Sequence, residues 1–189
     1  MKSGIQKGLL LLLCAAAIGV AVYYGYLNRN ASSSEEPVTV GEIQDLLLID
    51  MESNYPPTAR EVVSNFCRIY KSLYEEEASQ DEVRELGAKL ATLLDTDLLN
   101  NQFDYEGSLI QEINRKKTDG YTLSTYRVQS AAEVVTGYVE GHDVSYVNCM
   151  VTMRKGSQLY ANNYLFVLRR EEESGRWKIF GWTVTNDEY

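Results

Sequence analysis

Histidine chemistry is limited because the chain offers one histidine, His142. It lies in the sequence Glu140-Gly141-His142-Asp143, which is typical of a solvent-exposed hairpin turn. A metal site or a mechanism that requires two histidines is therefore excluded. We expect no metal site, and no motif indicates a bound cofactor.

An acid–base enzyme with a hydrophobic cavity needs a carboxylate on an apolar face of the core. Asp119, Glu133 and Glu140 do not meet that condition, because they fall in turns or at the ends of predicted strands. Asp95 and Asp97 lie towards the end of a predicted helix, where we expect exposure to solvent. No catalytic pair is assigned, which weighs against an enzyme.

Two cysteines are predicted to face the core. Cys67 lies on the apolar stripe of a helix, and Cys149 lies on the apolar face of a strand that could pack against it. Outside the cytoplasm such a pair can form a disulfide, whereas two buried free thiols are equally compatible with these positions. The spacing leaves both alternatives open.

The chain is rich in tyrosine, with fourteen in 189 residues. Tyr70, Tyr74, Tyr146, Tyr164 and Trp182 could line a cavity with their polar groups directed inward, which would suit an amphipathic small molecule or a peptide. The same residues could instead be ordinary core and interface aromatics. They are the candidate ligand-binding residues.

The element that would place this domain in the cell is an apolar run at residues 8–27, which has no charge. At about 1.5 Å per residue, a helix of this length covers the roughly 30 Å of a bilayer core. Lys2 and Lys7 precede the run, and Tyr23 and Tyr24 lie near its end, where aromatic rings favour the headgroup region. The pattern predicts a single membrane-spanning helix with the N-terminus in the cytoplasm.

Three other interpretations of the apolar run are weaker. A signal peptide could be cleaved near Ala15 to Ala17, but the run continues well past them. Acylation of Cys14 is disfavoured because Leu13, directly before it, is not small. A buried core helix agrees poorly with the polar segment that follows.

Composition divides the chain into four parts. Residues 1–7 are the short cytoplasmic end, residues 8–27 the span, residues 28–40 a polar flexible linker, and residues 41–189 an extracytoplasmic domain. All 27 acidic residues and 16 of the 18 basic residues follow residue 28, which gives that part a net charge of −11. Such a domain is repelled by nucleic acid, so nucleic acid is not an expected partner.

Helices are expected first in the outer domain. Three hydroxyl–glutamate pairs have capping-box spacing: Thr39 with Glu42, Thr58 with Glu61, and Ser79 with Glu82. One apolar stripe follows the pair at Thr58, and another follows the pair at Ser79 and reaches Leu98. A shorter helix is predicted from Tyr105 to Lys117.

After Gly120 the apolar period changes from that of a helix to that of a strand. The predicted strands are Tyr121 to Val128, Glu133 to Glu140, Val144 to Arg154, Leu159 to Arg170 and Trp177 to Thr185. Short Gly-containing gaps indicate antiparallel neighbours. Because neither face of the central strands is simply polar, a second cover is expected, either the helix near Glu42 or a second copy of the chain.

Helices followed by a bent antiparallel sheet, with the aromatic last strand Trp177-Lys178-Ile179-Phe180-Gly181-Trp182, resemble the nuclear-transport-factor-2-like (cystatin-like α+β) superfamily. The layout is also similar to membrane-tethered proteins of Firmicutes. The resemblance implies a cone-shaped domain with a cavity between helices and sheet, and in many members a homodimer through the open sheet face. It implies no single function.

The function expected from these patterns is a membrane-tethered extracytoplasmic module for binding or assembly. Its partner would be a protein, a peptide, a small molecule or a second copy of the chain. The resemblance leaves two alternatives, an isomerase- or cyclase-like enzyme acting on a small hydrophobic molecule, and an envelope secretion-channel subunit.

Overall fold

The computed structural model of the chain describes residues 41–75 and 78–185. Its helices are α1 (Glu42–Leu48), α2 (Ala59–Glu75), α3 (Gln80–Leu93), α4 (Thr96–Asn100) and α5 (Tyr105–Thr118). Its strands are β1 (Tyr121–Val128), β2 (Val135–Val139), β3 (His142–Lys155), β4 (Gln158–Arg170) and β5 (Trp177–Val184), with a 3-10 turn at Ala131–Glu133. The prediction of an α+β domain, with helices packed on an antiparallel sheet, is confirmed.

Two of the expected helix caps are formed by side chains. Ser79 and Glu82 form a reciprocal capping box at the start of α3, and Thr58 Oγ1 accepts a hydrogen bond of 3.2 Å from the Glu61 amide at the start of α2. Helix α1 begins after Gly41 without a side-chain cap. The residue predicted to cap it, Thr39, lies outside the described residues.

The strands form one antiparallel sheet in the order β1-β3-β4-β5, and β2 pairs with the part of β3 that β1 leaves open. The longest pairing joins β3 to β4 from Val144–Arg169 to Lys155–Gln158, and Gly156 makes the intervening turn with a φ of 59°. A positive φ is favourable for glycine because it has no Cβ. In this order the two longest strands, β3 and β4, form the middle of the sheet.

One face of the sheet is buried against the helices. On β3 the buried positions on this face include Val147 and Cys149, and on β4 they are Phe166 and Leu168. Helix α1 packs on α2 and α3, so the first of the two alternatives for the cover of the second face, the helix near Glu42, is wrong. Its apolar side is used instead to extend the helical layer.

The junction after α3 differs from the sequence prediction of one helix reaching Leu98. Helix α3 ends at Leu93, Leu94 forms a parallel bridge with Ile179 of β5, and Asp95 caps the short helix α4. Asp95 is 5% exposed, so its expected position at the surface is wrong. Pairing with Arg169, a contact distant in sequence, allows this carboxylate to be buried.

The sequence predictions of a membrane span, a linker and no metal site concern features outside the packing of the domain. The predicted span at residues 8–27 and the linker at residues 28–40 lie outside the described residues. Within residues 41–75 and 78–185, no helix is both long enough and apolar enough to cross a membrane. The same ranges contain no group of three or more side chains arranged to hold a metal ion.

Candidate functional site

A cavity of about 420 Å³ lies between the helices and the sheet. Helices α2, α3 and α5 supply one wall, and strands β1, β3, β4 and β5 supply the other. Most of its lining is apolar or aromatic: Phe66, Cys67, Leu90, Leu94, Leu109, Leu123, Val151, Met153, Phe166 and Trp182. Its volume falls in the range of small-molecule sites, which is about 300–1,000 Å³.

Three rings form an aromatic cluster in this cavity, and Tyr70 stacks on one of them, Phe66, at 5.7 Å between ring centroids. Phe66 of α2 lies 5.8 Å from Phe166 and 5.6 Å from Trp182 between ring centroids, and the two strand residues lie 5.9 Å apart. Phe166 and Trp182 are cross-strand partners, which places both rings on the same face of the sheet. Trp182 remains 44% exposed, so the aromatic cluster extends to solvent.

Two tyrosines and a glutamate supply polar groups to the cavity. Tyr70 and Tyr74 lie on successive turns of α2, with their hydroxyl oxygens 3.5 Å apart, and Glu112 of α5 lines the same cavity. Burial, together with Tyr74 and Glu112, raises the pKa of Tyr70. Burial raises the pKa of Tyr74 to about 12. Both phenols are therefore neutral hydrogen-bond donors at neutral pH.

The residues that line the cavity belong to a part of the chain that matches a protein family. The family model described as Domain of unknown function (DUF6715) matches residues 1–182. The chain belongs to this family. No curated protein gives a significant match to the chain. The DUF6715 match includes the cavity residues named above, from Phe66 to Trp182.

Four of the five aromatic residues predicted from the sequence line this cavity of the DUF6715 domain: Tyr70, Tyr74, Tyr164 and Trp182. Tyr146 lies outside it, on the opposite face of the sheet. The physical reason is the alternation of β3, where Val147 and Cys149 face the helices, so that Tyr146 between Ser145 and Val147 points away.

Glu112 was missed by sequence reasoning, although its signal was present. One face of α5 carries Leu109 and the residues three, four and seven places after it, which are Glu112, Ile113 and Lys116. Leu109 and Ile113 are buried, so Glu112 and Lys116 fall on the stripe that faces the core. A charge at a core position of a helical stripe indicates a functional residue more strongly than a charge at a strand end does.

The two thiols of the domain lie side by side in the core. Cys67 Sγ of α2 is 3.7 Å from Cys149 Sγ of β3, and both cysteines are free and buried. The hydrogen bond to Cys149 and burial raise the pKa of the Cys67 thiol. The sequence leaves a disulfide and two free thiols open for this pair, and this structure contains the two residues as adjacent thiols.

His142 lies at the start of β3, away from the cavity. Its Nδ1 is 4.0 Å from Glu172 Oε1, and it borders a shallow surface depression with Tyr138 and Arg170. This position agrees with the predicted turn, and His142 takes no part in the cavity lining.

Proposed function

We propose that this chain is a membrane-tethered, extracytoplasmic module with a nuclear-transport-factor-2-like fold, and that its outer domain binds a small amphipathic molecule. The observation that carries the proposal is the cavity between helices and sheet, whose lining combines an aromatic cluster with the polar groups of Tyr70, Tyr74 and Glu112. An apolar body and a polar head would each find a matching wall.

The order and packing of the elements support the proposed fold. Helices come first, a bent antiparallel sheet follows, and the cavity opens between the two layers. The last strand carries Trp182 into that cavity, in keeping with the aromatic final strand on which the resemblance rests.

The proposed anchor rests on the uncharged run at residues 8–27 and on the polar linker that follows. The family model matches residues 1–182, so it covers the apolar segment together with the domain. Protease treatment of intact cells and of inverted membranes would test the orientation. Digestion of the domain in intact cells would support it, and protection there with digestion in inverted membranes would contradict it.

Binding can be tested with the tryptophan that lies in the cavity. The chain has two tryptophans, so Trp177→Phe leaves Trp182 as the sole indole reporter. We expect saturable quenching or a spectral shift when this full-length variant, in detergent, is titrated with 3-phenylpropanol. The matched variant Trp182→Phe retains Trp177 and should respond little. No saturable response in a folded Trp177→Phe chain would contradict the proposal.

The arrangement favours binding over isomerase chemistry. An isomerase needs a base on one side of its substrate and hydrogen-bond donors on the other. Here the hydroxyls of Tyr70 and Tyr74 are 3.5 Å apart, and the carboxylate of Glu112 raises the pKa of both, so base and donors are adjacent. Their geometry suits recognition of one polar group.

A second copy of the chain is the partner that the outer face of the sheet would fit. Val135 and Val139 of β2 and Leu159 of β4 lie on this face and are 61%, 46% and 60% exposed. Exposed apolar groups on one face are typical of interaction surfaces. This observation favours pairing of two copies through the sheet.

Thiol cross-linking in membranes would test the pairing. In a Cys14→Ser background, Leu159→Cys should give a cross-linked dimer with a short bifunctional reagent. Phe103→Cys, at a fully exposed position before α5, is the matched control and should not. Equal cross-linking of the two variants, or none of either, would contradict an interface on the outer face.

A further inference from the structure

One carboxylate lines the cavity together with aromatic rings. Glu112 shares the lining with Tyr70, Tyr74 and Tyr164, and its charge raises the pKa of all three tyrosines after the larger effect of burial. Three tyrosines from α2 and β4 therefore lie in the same cavity as this carboxylate. A carboxylate accepts up to about four hydrogen bonds, so Glu112 offers acceptor positions to a ligand.

A basic residue of the same helical face, Lys116, also lines the cavity, and its ammonium group lies over an aromatic ring. Lys116 is one turn after Glu112, a spacing that favours an ion pair, yet Glu112 forms no ion pair with any residue in the described ranges. The Lys116 ammonium instead lies 4.9 Å from the centroid of the Tyr121 ring. The Glu112 carboxylate is therefore not paired with the lysine of its own helical face.

We propose that the cavity selects an organic amine, whose ammonium group lies between the Glu112 carboxylate and the rings of Tyr70, Tyr74 and Tyr164 while its apolar body contacts Phe66 and Trp182. This inference rests on the proposed function, because it names the ligand class of the same cavity. An ammonium group can donate charge-assisted hydrogen bonds to the carboxylate and be attracted by the faces of the rings. The formal charge of the whole chain, −9, also favours the approach of a cation.

Three probes with the same apolar body separate charge from shape: 3-phenylpropylamine, 3-phenylpropanol and 3-phenylpropionate. Calorimetric titration of the full-length chain in detergent at neutral pH should give the tightest binding for the amine, about tenfold tighter than for the alcohol. The carboxylate probe should bind most weakly. Equal affinities for amine and alcohol, or tightest binding of the carboxylate, would overturn the inference.

Substitution of Glu112 tests the assigned residue. Glu112→Gln should reduce amine affinity to that of the alcohol and leave alcohol affinity unchanged. Glu173→Gln removes the same charge from an exposed loop and should keep the wild-type preference. A preference for the amine that persists in a folded Glu112→Gln chain would also overturn the assignment.

The outcomes separate this inference from the proposal on which it rests. Binding of the alcohol without a preference for the amine would leave the small-molecule function in place and remove the amine specificity. Binding of none of the three probes would contradict the small-molecule function itself. The comparison of probes on the wild-type chain needs no variant, so it holds even if Glu112→Gln fails to fold.

Discussion

Arg169 donates two hydrogen bonds to the carboxylate of Asp95, from Nε to Oδ2 at 2.9 Å and from Nη2 to Oδ1 at 2.6 Å. The same carboxylate caps α4 by accepting a hydrogen bond of 2.9 Å from the Asp97 amide. The side chains of Asp95 and Arg169 are 7% and 22% exposed. One carboxylate therefore joins the α3–α4 junction to the end of β4.

Asp95→Asn should destabilise the domain. Asparagine can still cap α4, but its amide cannot replace the anion that Arg169 needs in this largely buried position. We expect the free energy of unfolding to fall by about 3 kcal/mol in chemical denaturation followed by circular dichroism. Asp97→Asn is the control, because Asp97 also bonds Arg169 but is 59% exposed, and its loss should stay below about 1 kcal/mol. Similar losses in the two variants would contradict this view of Asp95.

Most of the fold could be predicted because its signals are local. Capping chemistry at Ser79, the apolar stripe of α2 and the two-residue period after Gly120 each depend on neighbouring residues, and each gave the correct element type. The end of α3 could not be predicted in this way. It depends on Leu94 pairing with Ile179, a contact between residues far apart in sequence.

Part of the cavity lining was also predictable, because some of its signals are local in sequence. Tyr70 and Tyr74 share a helical face, and that face was correctly expected to meet the core. Tyr146 was misassigned because β3 carries apolar residues on both faces, so polarity did not reveal which face the helices cover. Glu112 was not predicted because a charged residue on a helix is typical of a solvated face, and only its place beside the buried Leu109 and Ile113 indicates the core.

Alkaline pH should weaken the domain through its buried phenols. Burial raises the pKa of Tyr74 and of Tyr105 to about 12, whereas an unfolded tyrosine titrates near 10. Between about pH 10 and 12 the unfolded chain has released protons that the native chain retains, so stability falls as pH rises. Below about pH 10 this contribution is fully present.

Absorbance at the phenolate band and denaturation at several pH values would measure this effect. Tyr74→Phe and Tyr105→Phe should each make the loss of stability above about pH 10 shallower. Tyr138→Phe removes a phenol on a residue that is 72% exposed and should leave the slope unchanged. An equal slope in all three variants would rule out Tyr74 and Tyr105 as its source.

Ser79→Ala should loosen the start of α3. The hydroxyl of Ser79 accepts a hydrogen bond of 3.3 Å from the Glu82 amide, and alanine leaves that donor without its partner. We expect a loss of about 1 kcal/mol in the free energy of unfolding. Ser79→Thr keeps a capping hydroxyl and should retain most of the stability. A loss in the threonine variant as large as in the alanine variant would contradict a capping role.

The pair Cys67 and Cys149 should close to a disulfide under oxidising conditions. Their sulfurs are 3.7 Å apart and join positions 82 residues apart on α2 and β3. Cross-linking so long a loop restricts the unfolded chain, which should raise the free energy of unfolding by about 2–4 kcal/mol. Since both thiols are buried, the native chain should react slowly with alkylating reagents until it is unfolded.

The disulfide can be followed by mass spectrometry of the Cys14→Ser chain after treatment with a thiol–disulfide exchange catalyst and oxidised glutathione. Two hydrogens should be lost, and a peptide joining the two cysteines should appear after digestion without reductant. Cys149→Ser is the matched control and should gain no stability on oxidation. If both thiols stay free, or if the oxidised chain unfolds more readily than the reduced one, helix α2 and strand β3 cannot accommodate the bond.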